Sequence, residues 1–182
     1  MLRIASCLAL TAMLAGLAAC NSPASDEAFA RTMVTRAALS PSEPLRSPDS
    51  EGAVWSAGST QARIVYGKPG STPLLALECE TADEKPAIRI TRLAPADEGA
   101  GAMLALIGNG HRARFAVDAV WDGQQRFWEG TVAAHDPALD VLTGRREVTA
   151  TIPGAGELLI NPGSAAGELI RRCRGEGAAH VL

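Results

Sequence analysis

The sequence predicts an all-β domain with two or three short helices, an antiparallel meander built into a sandwich or a partly open barrel. Three observations predict it. Apolar and polar residues alternate in short runs between residues 61 and 93, the period of half-buried strands. Asn109-Gly110 and Asp122-Gly123 each read as a tight hairpin turn between such runs, because both residue types accept the positive φ that a type I′ turn needs. Lys68-Pro69-Gly70 and Pro153-Gly154-Ala155 supply further turn chemistry.

Taken in order, the first strand after Gly52 is Gln61 to Gly67, with Ala62, Ile64 and Tyr66 on one face. Pro73 to Glu80 follows, with Leu75, Leu77 and Cys79 inward and Glu78 and Glu80 outward. Pro86 to Leu93 places Ile88 and Ile90 inward and Arg89 and Thr91 outward. Pairing outward from Asn109-Gly110 sets Leu106 opposite Ala113 and Leu104 opposite Phe115. Pairing outward from Asp122-Gly123 sets Val117 opposite Trp128 and Ala113 opposite Val132. Leu104, Leu106, Phe115, Val117, Trp128 and Val132 then share one apolar face, and Arg112, Arg114, Asp118 and Glu129 the other. A slip of one residue at either turn would destroy that agreement.

Asp136-Pro137 starts a short helix to about Leu142, with Asp136 as N-cap and Pro at the first helical position. Glu147 to Ile152 and Gly156 to Asn161 form a further hairpin. Ser164 to Arg174 reads as a terminal helix capped by Ser164. Leu169, Ile170 and Cys173 line one side of it, and Arg171, Arg172 and Arg174 sit near its C-terminus, where the helix dipole favours cations.

Before this domain lies a different composition. Arg3 is the only charge ahead of Asp26, and an apolar stretch from Ile4 to Ala19 follows it, too short for a membrane span and laid out as a secretory signal peptide. Its end, Leu17-Ala18-Ala19-Cys20, resembles the lipobox of bacterial lipoproteins. That resemblance implies cleavage before Cys20, a lipid on the Cys20 thiol and acylation of the new amine. Asn21, where the family uses Asp for inner-membrane retention, implies the outer membrane, with the chain facing the periplasm. The alternative is an ordinary cleaved signal peptide and a soluble periplasmic protein. The organisation expected is therefore a signal peptide over 1–19, a lipidated tether over 20–52, a β-rich domain over 53–175 and a disordered tail over 176–182. Within the tether, Ser25-Asp26-Glu27 opens a short helix with Phe29, Met33 and Val34 on one side. Residues 40–52 are polar, Pro-rich and too poor in apolar residues to build a core, so they read as an extended spacer.

Removal of the first 19 of 182 residues leaves 163, with 16 basic and 20 acidic side chains and a net charge near −4. That mild charge argues against a nucleic-acid partner, which needs clustered positive charge. Cys7 leaves with the signal peptide, so Cys79 and Cys173 remain as an even pair in an oxidising compartment. A structural disulfide is the expected use, stapling the terminal helix to the strand that carries Cys79. The alternatives, a catalytic thiol or a metal site, lack a second Cys or a His at ligand spacing near either residue.

The search for chemistry returns no catalytic, cofactor-binding or metal-binding set. His111, His135 and His180 form no HExxH or HxH pattern, and Gly163 to Gly167 does not fit a nucleophile elbow. Gly108-Asn109-Gly110 is explained by a hairpin, since no helix follows it. The acid pairs Glu78/Glu80 and Asp97/Glu98 read as solvated. Trp121 and Trp128 both fall on the apolar side of the register and read as core, the alternative being a carbohydrate or peptide platform. The layout of strands, meander, short helix, hairpin and terminal helix, with Cys79 and Cys173, resembles small Gram-negative envelope proteins. Examples are the invasion-associated locus B family and the accessory lipoproteins of type VI secretion. That resemblance carries over no functional residue. The function expected is a non-enzymatic binding or structural module of the envelope, held to the membrane by its lipid and touching an envelope protein or peptidoglycan. The alternative is an envelope glycan or peptide hydrolase whose site assembles only in the fold.

Overall fold

A computed structural model describes residues 42–176. The signal peptide, Cys20, the expected tether helix, His180 and the tail from 177 on lie outside the described residues. Nine strands form one antiparallel sheet: β1 (Val54–Ala57), β2 (Arg63–Gly67), β3 (Leu75–Ala82), β4 (Lys85–Pro95), β5 (Gly101–Gly108), β6 (His111–Trp121), β7 (Arg126–Ala133), β8 (Val148–Thr151) and β9 (Glu157–Ile160). Their spatial order is β1-β2-β3-β4-β7-β6-β5-β8-β9. A 3-10 helix, η1 (Pro137–Leu142), and one α-helix, α1 (Ala165–Cys173), complete the described domain.

The sheet curls into a nearly closed barrel. Tyr66 on β2 links its two ends, donating its hydroxyl to the Leu159 carbonyl at 3.0 Å and accepting from the Asn161 amide at 2.9 Å. The Asn161 side chain donates in turn to the carbonyls of Ser50 and Ala53, just ahead of β1. Inside lie Leu75, Leu77, Ile88, Ile90, Leu104, Leu106, Val117 and Leu158, all essentially inaccessible. Alternation along each strand delivers these side chains to one face, so the core follows from the period-two pattern. β1 has no such alternation and leaves no strand signal in the sequence.

The Asn109-Gly110 hairpin forms as expected, with φ of 52° and 81°, and Leu104 and Leu106 stand opposite Phe115 and Ala113. The second hairpin differs. Asp122 to Gln125 make a four-residue loop in which Asp122 Oδ1 accepts from the amides of Gln124 (2.8 Å) and Gln125 (2.7 Å). This Asx turn moves the register by two, so Ala119 rather than Val117 faces Trp128. A slip of two leaves every side chain on its face, which is why the predicted apolar face survives. The β6–β7 ladder runs from Trp121↔Arg126 to Asp118↔Glu129, so Ala113 and Val132 are not partners. η1 packs on β6, burying Leu139, Val141 and Leu142. Asp136 caps η1 by accepting from the Ala138 amide at 2.8 Å.

Cys79 and Cys173 are joined, with Cα atoms 5.6 Å apart across 94 residues of sequence. The bond fixes α1 to β3. Ser164 occupies the cap position of α1 but makes no side-chain capping bond, because its backbone is already helical. Residues 42–50 have no regular secondary structure, Glu51 and Gly52 form a turn, and the segment is docked on the barrel. Ser42 binds Asp97 through its amide (2.8 Å) and hydroxyl, the Leu45 amide donates to Gly154, and Ser47 accepts from the Glu157 amide.

Candidate binding groove

The candidate site is built around β1, an end strand of the sheet. Its register with β2 is set by Val54↔Gly67, Ser56↔Val65 and, one step on, the Gly58 amide donating to the Arg63 carbonyl at 2.9 Å. In an antiparallel ladder, alternate residues exchange bonds with the neighbour and the others point away. Val54 and Ser56 therefore face β2, and the amides and carbonyls of Trp55 and Ala57 face outward. They face a groove. Its first part, about 280 Å³, is lined by Trp55, Ser56, Ala57, Arg63, Ala165, Glu168 and Arg172 among others. Its second part, about 240 Å³, continues along Ala53, Val54, Trp55 and Asn161 to Ala165.

The two walls have distinct origins. Trp55 is fixed from below by Tyr66, their rings 5.2 Å apart and tilted by 54°. Opposite stands α1, whose residues 165, 168 and 172 share one face at helical spacing. The disulfide and the buried Leu169, Ile170 and Cys173 hold that helix in place. A third, smaller hollow of about 130 Å³ lies on the other side of the same strand, lined by Val54, Ser56, Lys68, Pro69 and Pro73 among others.

Of the residues that the sequence singled out, Gly163 and Ser164 line the second part of the groove, and the histidines, acid pairs and other tryptophans lie elsewhere. His111 and His135 are exposed and apart from the groove. Glu78 and Glu80 lie on the outer face in an ion network. Arg63 meets Glu78 at 2.9 Å, and Arg89 lies between Glu78, Glu80 and Glu129. The Glu80 hydrogen bond is the main cause that pushes the Arg89 guanidinium pKa up. Thr91, although outward on β4, is buried beneath this network and donates to Glu129 at 3.0 Å. Asp97 is held below the usual carboxylate range, chiefly by the Ser42 hydroxyl. Trp128 is buried as expected, but Trp121 is 54% exposed. β6 outruns the core at that end, so the inward side of Trp121 meets solvent and the Arg126 guanidinium, 5.1 Å from its ring centroid.

Two buried polar groups have no signal in the sequence pattern, the Arg92 guanidinium and the hydroxyl of Tyr66, whose ring the alternation already placed beside Ile64. Arg92 follows Ile88 and Ile90 on the inward face of β4 and is only 4% exposed. It donates to the carbonyls of Leu74 (2.8 Å) and Ala155 (3.3 Å), and burial pushes its pKa down. Tyr66 is fully buried, and the same burial is the main cause that raises its pKa. Both bridge backbone segments distant in sequence, so both serve the wall of the barrel. Among the described residues no group of three or more His, Cys, Asp or Glu is placed to hold a metal ion.

Compared with known proteins, the chain matches no family model, no curated protein and no solved structure.

Proposed function

We propose that this chain is a lipoprotein of the outer membrane, anchored through Cys20 and facing the periplasm, whose barrel is a non-enzymatic binding module of the cell envelope. The observation that carries the reading is the N-terminal pattern: one positive charge, an apolar stretch and Leu17-Ala18-Ala19-Cys20. The Cys79–Cys173 disulfide supports it independently, since such bonds persist in oxidising compartments outside the cytosol. The module assignment draws support from how polar groups are spent. Tyr66 and Arg92 bind backbone carbonyls of the barrel wall, while the groove beside β1 is lined by Trp55, by small residues such as Ser56, Ala57 and Ala165, and by the charged Arg63, Glu168 and Arg172. Two acyl chains already hold a protein stably to a bilayer, at about 0.8 kcal/mol per buried methylene.

Metabolic labelling with a clickable fatty acid in a Gram-negative host tests the anchor. The wild-type chain takes up label and sediments with outer-membrane vesicles. Cys20→Ser carries none and stays full length. Label retained by Cys20→Ser, or none on the wild type, overturns the reading.

A further inference from the structure

We propose that the β1 edge is a strand-addition site, which takes an extended peptide of a partner protein as a tenth strand lying between β1 and α1. The inference rests on the binding-module reading above and names how that module binds.

The two ends of the sheet are treated differently. Two of the outward groups of β9 are occupied by the chain itself, since the Glu157 amide donates to Ser47 and the Leu159 carbonyl accepts from the Tyr66 hydroxyl, and the Asn161 amide just beyond the strand donates to the same hydroxyl. The outward amides and carbonyls of Trp55 and Ala57 have no hydrogen-bond partner among the described residues. An open edge is an aggregation hazard that proteins blunt with Lys, Pro or a covering loop. β1 reads Val-Trp-Ser-Ala, carries none of these devices, and three of its four residues are exposed.

The shape of the surroundings selects the occupant. A row of outward N–H and C=O groups at period two is complementary to another extended backbone and to little else. The site has hollows on both sides of the strand, as an added strand requires because its side chains alternate. Side chains on the Trp55 side meet Ile64 and Ala165, so small or apolar residues fit there. Those on the other side meet Val54, Pro69 and Pro73. Glu168 and Arg172 on the α1 wall offer one charge of each sign. A second copy is the poorer occupant, since pairing two β1 edges would bring the α1 of each copy against the other.

The test uses the full chain in mild detergent and a displayed library of random linear dodecapeptides. Peptides enriched on the wild type are remade with single N-methyl groups along the backbone. Ala57→Pro removes one outward amide and leaves the β1–β2 bonds intact, because Ala57 does not bond β2; Ala57→Val keeps the amide and is the control. The expected result is binding weakened at least tenfold by Ala57→Pro, unchanged by Ala57→Val, and lost on N-methylation at alternate peptide positions only. Thermal melts establish that Ala57→Pro is folded. If it is not, the N-methyl pattern alone decides. No enriched peptide, binding indifferent to Ala57→Pro when folded, or equal loss at every N-methyl position overturns the proposal. So does sedimentation showing that the wild type pairs with itself through this edge. None of these results depends on Cys20, so failure here leaves the lipid-anchor test standing, and failure there leaves this one.

Discussion

Removing one oxygen atom, with Tyr66→Phe, tests whether the barrel is held shut at its seam. The ring stays, so its packing on Trp55 and in the core is preserved. The change deletes a bond donated to Leu159 and one accepted from Asn161, which join segments 93 and 95 residues apart. Each such bond contributes about 0.5–1.5 kcal/mol net, so the pair accounts for about 1–3 kcal/mol, towards the upper end if both backbone groups are left unpaired. Unfolding entropy near 2.1 cal/mol/K per residue, over the 135 residues from Ser42 to Glu176, is about 0.28 kcal/mol/K. The expected fall in Tm is therefore about 4–11 °C. Circular dichroism melts at pH 7 measure it, with urea titrations to check that the m-value is unchanged. The same residue gives a pH signature. Burial raises its pKa above the ordinary 10.0, so the unfolded chain loses this proton first, and the stability it contributes is complete below pH 10 and drains away above it. The wild type loses stability above pH 10 more steeply than Tyr66→Phe does. A Tm change under about 1 °C, or identical alkaline slopes, would refute the seam.

Replacing both Cys79 and Cys173 with Ala frees a loop of 94 residues' separation, which the chain-entropy model values at about 4.7 kcal/mol, or up to ~16 °C in Tm; melts with and without reductant check it. Arg92→Met keeps the length and removes a desolvated cation that has no carboxylate partner among the described residues, so its stability stays within about 1 kcal/mol of wild type, whereas Arg92→Ala loses about 2–4 kcal/mol by opening a cavity; urea midpoints of the two variants compare them. Asp97 has its pKa lowered by Ser42, so the clamp holds above the ordinary carboxylate range and releases as pH falls through the lowered value. Hydrogen-exchange protection factors at the Ser42 and Leu45 amides report it, falling in acid and, at neutral pH, in Asp97→Ala.

Legibility followed locality. The Asn109-Gly110 hairpin and its partners were readable because two residues set the turn and alternation set the faces. Asp122-Gly123 misled by two because the side chain of Asp122 binds the amides of Gln124 and Gln125, a local competitor that the dipeptide signal does not weigh. Trp121 was assigned to the core by parity, which says which side a residue points to but not where the core stops. Arg92 was overlooked for the opposite reason, since charge suggests exposure until a carbonyl cage is seen. The groove had no signal at all. β1 is four residues long and unpatterned, and its opposite wall comes from a helix more than a hundred residues later.

Sequence by itself determined the strand faces, the first meander turn, the capped 3-10 helix and the pairing of two cysteines, because each depends on residues near one another or on a choice of one partner. Only the tertiary structure decided that the sheet curls until Tyr66 reaches β9, that one end of it is covered and the other open, and that α1 stands beside the open one. Those facts are set by which distant strands meet, and loop closure over such separations leaves no periodic mark on the chain.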